Sequence, residues 1–131
     1  MIGSKAIRDG ALAATLVLTA CLGGFTLSAS NLEIAPNPAA PGEIVVASFF
    51  VVLAPVQRHT VVVMIDNREH RRVTSSDDPP RPYVITLGDA ADLISTYGSG
   101  THAAHVEVRA EDANETARTR SVTFELRDAV P

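Results

Sequence analysis

The side chains best suited to hold a metal ion are four histidines, His59, His70, His102 and His105. An imidazole-based metal site needs at least three ligands that converge on one point. His102 and His105 are three residues apart, so on a strand their side chains point to opposite faces of the sheet. At most two of the four can converge, and we therefore expect neither a metal centre nor a cofactor.

The segment at 111–115 is rich in side-chain oxygens and is the candidate for a calcium site. Its sequence is Glu-Asp-Ala-Asn-Glu, in which Asp112, Asn114 and Glu115 offer carboxylate and amide oxygens. Calcium takes six to eight oxygen ligands. The alternative is a solvated hairpin turn, because Asp and Asn are favoured by turn geometry itself. A calcium- or metal-binding domain is thus one alternative function for this chain.

The residue types of hydrolytic enzymes are present without the spacing that their chemistry needs. Ser75 and Ser76 adjoin Asp77 and Asp78, but no Gly-x-Ser-x-Gly elbow or positioned histidine accompanies them. The paired carboxylates precede two prolines in an open loop, without the apolar pocket that gives two such groups different acidities. We therefore predict that the protein is not an enzyme.

A single cysteine, Cys21, follows an apolar leader. Lys5 and Arg8 form a short basic region, and residues 11–18 form an apolar run of signal-peptide length that ends in Leu18-Thr19-Ala20-Cys21. This pattern resembles the lipobox of bacterial lipoproteins, in which an aliphatic and two small residues precede the cysteine. The resemblance implies cleavage before Cys21 and lipidation of Cys21. Acyl chains contribute about 0.8 kcal/mol per buried methylene, so two or three of them hold a protein on a membrane.

An uncleaved membrane anchor is the second interpretation of these residues. The apolar stretch continues to Ala29, and the 19 residues of 11–29 approach the ~20 that span a bilayer as a helix. The basic residues before it would keep the N-terminus in the cytoplasm. A simply secreted protein is the third possibility. All three place the residues beyond about 31 outside the cytoplasm, so we expect a bacterial cell-envelope protein, membrane-anchored on the periplasmic or extracellular side.

Length and composition limit the remainder to one small domain. The chain has 131 residues, of which 46% are hydrophobic and 20% are charged, and its net charge is −4. An acidic chain without tryptophan lacks both the basic surface and the stacking platforms of nucleic-acid-binding proteins. A single cysteine excludes an intramolecular disulfide. We therefore expect no nucleic-acid partner.

The segments after residue 42 are typical of antiparallel strands, because β-branched and aromatic residues dominate them. The proline-rich segment 31–42 is a linker or a short edge strand. Asp89 is placed to cap a short helix that Gly98 to Gly100 ends. We predict a signal peptide or the start of an anchor at 1–20, a tether at 21–42 and the folded domain at 43–128. The strands are predicted at 43–53, 59–66, 70–74, 83–87, 101–110 and 116–127.

The last strands carry a family resemblance. Their residues are Gly100-Thr101-His102, then Val106-x-Val108-x-Ala110-x-Asp112-x-Asn114, then Val122-x-Phe124-x-Leu126. This run resembles the final strands of bacterial immunoglobulin-like domains and is similar to fibronectin type III modules. The resemblance implies an all-β, immunoglobulin-like antiparallel sandwich of about seven strands, preceded here by the apolar N-terminal helix. It also implies a corner role for Tyr97.

Two of the predicted strands are apolar on both faces, although a strand of a sandwich normally packs one face on the core and exposes the other to solvent. In the first, Ile44, Val46, Phe50 and Val52 oppose Val45, Ala47, Phe49, Val51 and Leu53; in the second, Val61, Val63 and Ile65 oppose Val62 and Met64. The surplus faces must be covered by the chain itself or by a partner. We predict that a partner-binding surface includes Val45, Phe49, Val51, Val62 and Met64.

Basic residues gather in the hairpin that follows. Arg68, Arg71 and Arg72 form either a contact patch for an acidic partner or for anionic lipid head groups, or a solvated hairpin surface. The expected function is a non-enzymatic, membrane-tethered binding or structural module. Its preferred form is an accessory subunit that docks on a larger membrane protein complex, with the lipid or the N-terminal helix in the membrane. A carbohydrate-binding module is a further alternative.

Overall fold

Eight strands and one short helix form in residues 24–128, the part of the chain that the structure, a computed structural model, describes. The all-β prediction is therefore confirmed. The elements, in chain order, are β1 (Thr26–Ala35), β2 (Ile44–Ala54), β3 (His59–Ile65), β4 (Arg68–Ser75), β5 (Tyr83–Asp89), α1 (Ala90–Tyr97), β6 (Gly100–Ala110), β7 (Glu115–Arg118) and β8 (Val122–Leu126).

The strands form two antiparallel sheets that pack face to face. The first, which we call the three-stranded sheet, has the order β1-β2-β5. The second has the order β4-β3-β6, and both β7 and β8 pair with β6. Because β7 and β8 extend one edge in succession, the eight strands occupy seven positions, in agreement with a sandwich of about seven strands.

The core lies between the two sheets and is filled by alternate residues of the central strands. From β2 it receives Val45, Ala47, Phe49, Val51 and Leu53, all fully or almost fully buried. Phe49 stacks on Tyr83 of β5 with ring centroids 5.2 Å apart. Aromatic pairs of this kind stabilise a core beyond the area that they bury. Alternation on the last strands predicts Val106, Val108, Val122, Phe124 and Leu126 to face inward. All of these are buried except Val122, which is half-buried.

Within the predicted tether at 21–42, residues 26–35 form the edge strand β1. The tether is therefore wrong for these residues, whereas the alternative of a short edge strand in 31–42 is confirmed for residues 31–35. Leu32 and Ile34 are buried in the core. A bulge interrupts the register between Ser30 and Glu33, where Asn31 has a φ of 57°. The bulge changes which alternate residues face inward, so a simple period of two does not reveal this strand. Residues 26–29 are therefore strand and not the end of an apolar helix. Cys21, the lipobox and the rest of the leader lie outside the described residues.

The single strand predicted at 116–127 is interrupted at Thr119. Its backbone N–H donates to the Val106 carbonyl at 2.9 Å, and its side-chain oxygen accepts from the Val106 N–H at 3.0 Å. The threonine side chain thus replaces a backbone partner in the ladder, which explains why it is buried although polar.

The short helix begins and ends as predicted. The Asp89 side chain accepts from the Ala91 N–H at 2.8 Å and caps α1. The Gly98 N–H donates to the Ile94 carbonyl at 2.7 Å with a φ of 90°, a conformation that glycine adopts without strain. Asp89 also accepts from the Gly42 N–H at 3.1 Å, which ties the 36–43 loop to the helix.

Candidate functional site

The outer face of the three-stranded sheet carries an unusual set of exposed apolar side chains. Ile44, Phe50 and Val52 of β2 and Val84 of β5 are 52, 41, 38 and 55% exposed. Val46 lies among them and is half-buried. We call these five residues the apolar face. A strand of a sandwich normally presents polar residues on this side, so the apolar face is the strongest candidate for a functional surface.

The residues that surround the apolar face are small and almost uncharged. Cross-strand register places Ser28 opposite Val52 and Ser30 opposite Phe50. On the other side Thr86 lies opposite Val46. Among the positions paired with Ile44 to Val52, Glu33 and Asp89 are the charged residues, and Asp89 is engaged as the cap of α1. The face therefore carries few charges for its size.

Exposed apolar residues are concentrated in this region. Within 24–128, five large hydrophobic side chains are exposed, and four of them belong to the apolar face. The fifth, Val56, is 48% exposed and lies in the 55–58 loop directly after β2. The exposed hydrophobic surface thus follows one sheet and its adjoining loop instead of being scattered singly.

The structure corrects the side of the strand on which a partner could bind. Val45, Phe49 and Val51 are fully buried in the core and cannot contact a partner in the folded domain. Their assignment to a partner-binding surface is therefore wrong, and the surplus apolar surface is the opposite face of β2. Ser48, the one polar residue of that strand, has its side chain on this outer side. Its position in the alternation is the signal in the sequence that identifies the outward face.

Val62 and Met64 lie on the outer face of the second sheet, where charged residues surround them. Both are half-buried. Val62 is paired with Arg72 and Glu107, and Met64 with Glu69 and His105. These two side chains therefore form no continuous surface with the apolar face.

The three arginines of β4 contact three different groups within the domain. Arg72 forms an ion pair with Glu69 at 2.7 Å. Arg71 donates from Nε to the Thr86 carbonyl at 3.0 Å. The guanidinium of Arg68 lies 4.8 Å from the centre of the Tyr97 ring. They therefore resemble the solvated hairpin of the alternative prediction more closely than a single anion-binding patch.

A polar cluster that the sequence did not indicate joins α1 to the second sheet. His102 contacts Asp66 through Nδ1 at 2.6 Å and the Gly98 carbonyl through Nε2 at 2.7 Å. His70 contacts the Tyr97 hydroxyl through Nδ1 at 2.9 Å and the Leu87 carbonyl through Nε2 at 2.7 Å. Tyr97 therefore bonds a histidine instead of the backbone, and its predicted corner role is wrong.

The Asp66–His102 pair resembles two members of a catalytic triad, but its geometry serves a structural purpose. In a triad the second imidazole nitrogen receives a proton from a nucleophile. Here that nitrogen faces the backbone carbonyl of Gly98. Asp66 also accepts from the Ala103 N–H at 3.0 Å. The pair therefore fastens the β3–β4 turn to the start of β6.

The other histidines are separate from this cluster. His59 is fully buried and donates from Nδ1 to the Gln57 carbonyl at 3.0 Å. His105 contacts Glu107 at 2.9 Å on the opposite side of β6 from His102, as expected from their spacing. Within the described part of the chain, no three His, Cys, Asp or Glu side chains are grouped as a metal site would require.

The segment considered for calcium forms the turn between β6 and β7. Asn114 accepts from Arg109 through its side-chain oxygen. Glu111 accepts from the Thr60 hydroxyl at 2.9 Å. The side-chain oxygen of Asn114 and one carboxylate oxygen of Glu111, which neighbour Asp112 and Glu115 in this turn, therefore already accept hydrogen bonds from the protein.

No helix in residues 24–128 is both long and apolar enough to cross a bilayer.

Comparison with known proteins identifies the fold. No family model matches the chain, and no curated protein matches it. Among solved structures, it is similar to a CARDB domain from Pyrococcus furiosus whose structure was determined in complex with di-metal ions. The two chains are 13% identical with a TM-score of 0.53, and the similarity covers 86% of this chain and all of that one. The described domain is thus an immunoglobulin-like β-sandwich.

Proposed function

We propose that this protein is an exported, membrane-tethered, non-enzymatic module that docks on another protein of the bacterial cell envelope through its apolar face. The observation that carries the proposal is the concentration of exposed apolar side chains on the outer face of one sheet. Large contiguous apolar patches on a protein surface usually mark binding sites, whereas apolar residues that are exposed singly are common and need no explanation.

The chemistry of the partner follows from the chemistry of the face. A sheet surface with serines, a threonine and two carboxylates around its apolar side chains offers shape and area but little charge. The complementary surface is therefore itself apolar and nearly uncharged, as in the packing of two sheets. Tethering concentrates both proteins at one membrane, so that a modest interface suffices.

The tether rests on the leader and on Cys21. In the lipoprotein form of the proposal the acyl groups on Cys21 hold the protein. In the signal-anchor form the apolar run from residue 11 holds it, but β1 begins at Thr26 and leaves this run 15 residues instead of the ~20 that span a bilayer as a helix, which favours the lipoprotein form. Replacement of Cys21 by Ala, followed by membrane fractionation, separates the two. Accumulation of the unprocessed precursor and loss of the acylated form would support the lipoprotein. Unchanged retention of the full-length chain in the membrane would support the anchor.

The docking face is tested by Val84→Asp, with Thr116→Asp as the matched control. Both residues are exposed on outer strand faces, but Thr116 belongs to the second sheet. A photo-crosslinking residue at position 86 should give one specific adduct in native membranes. Val84→Asp should abolish that adduct and Thr116→Asp should preserve it, both with unchanged thermal unfolding.

The partner identified from this adduct is then purified and titrated with each variant. A folded Val84→Asp protein that binds the partner as tightly as the unmodified chain would refute the docking face. A specific adduct that depends on position 116 instead would move the interface to the second sheet.

A further inference from the structure

We infer that the sandwich stands on the bilayer on one end, with the 55–58 loop against the lipid and Val56 as its deepest side chain. The inference rests on the membrane tether proposed above, but not on the protein partner. It names a second interaction surface, for lipid, at the end of the domain where the chain enters it.

The short distance between the tether and the domain restricts the orientation. Strand β1 begins at Thr26, five residues after Cys21. A fully extended chain spans at most ~3.6 Å per residue, so the two Cα atoms lie within ~18 Å of each other. In the signal-anchor form the apolar run leads directly into the strand, and the distance is shorter still. Both forms of the tether therefore hold the same end of the sandwich at the membrane.

The antiparallel register shows which loops share that end. Thr26 pairs with Ala54, so the 55–58 loop adjoins the entry of the chain. Ser75 pairs with His59, so the 76–82 loop begins at the same end. The 111–114 turn packs beside this loop, since the Glu111 N–H donates to the Arg58 carbonyl and the Ala113 N–H donates to the Gln57 side chain, each at 3.0 Å.

The helix α1 and the β3–β4 turn lie at the other end of the sandwich. β3 runs from His59, beside the 55–58 loop, to Ile65, beside that turn. At ~3.3 Å per residue, the two ends are separated by ~20 Å along this strand alone. A probe on α1 is therefore far above a membrane on which the 55–58 loop rests.

The side chains of this end favour the 55–58 loop as the lipid contact. Val56 is 48% exposed and follows Pro55, which is also exposed. Arg58 is exposed two residues later and can pair with lipid phosphate. The other two loops of this end carry exposed carboxylates, Asp112 and Glu115 in one and Asp77 and Asp78 in the other, whose charges favour water over the hydrocarbon region. We therefore expect the sandwich to tilt on the bilayer so that Val56 enters the lipid most deeply.

This orientation adds a property to the docking face. β2 reaches from the membrane-facing end toward the opposite end of the sandwich, away from the bilayer. The apolar face is therefore roughly perpendicular to the membrane plane and does not lie flat on the lipid. A partner that reaches it there extends upward from the same membrane. The proposed partner is thus the extracytoplasmic part of a membrane-embedded protein.

The absence of tryptophan from the sequence permits a direct test with single reporters. Val56→Trp reports the 55–58 loop, Ser95→Trp reports exposed α1 at the opposite end, and Val84→Trp reports the apolar face. Each full chain, with its natural processing and anchor, is reconstituted in vesicles of phosphatidylethanolamine and phosphatidylglycerol with brominated acyl chains. We expect Val56→Trp to lose most of its fluorescence, and Ser95→Trp and Val84→Trp to keep theirs.

Flotation of the vesicles separates the failure of this inference from that of the tether. A chain that floats with the vesicles but shows quenching at Val84→Trp lies flat on its apolar face, and a chain that floats without quenching at Val56→Trp stands away from the lipid. Either result overturns the inference alone. A chain that does not float overturns the tether, and the inference with it. Arg58→Trp provides a second reporter in the same loop if Val56→Trp does not fold.

Discussion

Two adjacent phenylalanines allow a direct test of which face of β2 forms the core. Phe49 is fully buried and stacks on Tyr83, whereas Phe50 points outward and is 41% exposed. Replacement of a buried Phe by Ala costs about 3–5 kcal/mol through lost transfer free energy and the cavity that remains. Replacement of an exposed residue away from special features usually changes stability by less than about 0.5 kcal/mol. We therefore expect Phe49→Ala to be several kcal/mol less stable than Phe50→Ala.

The comparison is sensitive because small domains are only marginally stable. A total of about 5–15 kcal/mol is typical, so Phe49→Ala removes a large share of the stability. Urea unfolding followed by far-UV circular dichroism gives the midpoint and slope of each variant. The slope should be unchanged between the two variants, because a change in slope indicates a different unfolded or native state. Equal losses for Phe49→Ala and Phe50→Ala would refute the assignment of the two faces.

Three further predictions concern individual hydrogen bonds and buried groups. Burial, the largest influence, raises the pKa of Asp66, but the Ala103 N–H, His102 and the Arg68 charge together lower it below its ordinary 3.8. The ionised Asp66 carboxylate therefore stabilises the fold above about pH 4, and this stabilisation is lost as the pH falls through the folded pKa. Asp66→Asn should lower the urea midpoint at neutral pH and make the midpoint decline less in acid. An unchanged dependence of the midpoint on pH would contradict this. Asp89→Ala should cost about 1 kcal/mol in urea unfolding through loss of the helix cap, and Asp89→Asn, which keeps the acceptor, much less. Burial raises the pKa of the Tyr83 phenol above 10.0, so the free energy of unfolding should fall as the pH rises beyond 10. Absorbance titration of a Tyr97→Phe protein, in which Tyr83 is the remaining tyrosine, measures this pKa. Ionisation of Tyr83 at the ordinary pKa would show that its ring is accessible to water.

The features that could be predicted from sequence are those determined by local interactions. Asp89 and Gly98 define the ends of α1 because a helix cap depends on a few neighbouring residues. Strict alternation identified the inward residues Val106 and Val108 of β6, since their neighbours Glu107 and Arg109 are charged. In these segments each local preference agrees with the tertiary structure.

The features that could not be predicted depend on contacts between distant residues or on changes of strand register. The bulge at Asn31 reverses the alternation within β1, so the pattern neither decided between a linker and an edge strand in 31–42 nor revealed the strand at 26–30. Thr119 interrupts the last strand because its side chain pairs with the Val106 N–H on β6. The Asp66–His102 contact joins residues 36 positions apart. None of these has a signal in a period of two.

The outward face of β2 is informative because it departs from the pattern that would suffice for folding. The core is complete with Val45, Ala47, Phe49, Val51 and Leu53, so the fold does not require apolar residues at Ile44, Phe50 and Val52 as well. Polar residues there would protect the domain from association, as the charges around Val62 do on the second sheet. Natural sequences depart from the residue pattern that the fold favours mainly at functional surfaces. The apolar face therefore requires an explanation outside the fold, and a partner on the same membrane is the one that we propose.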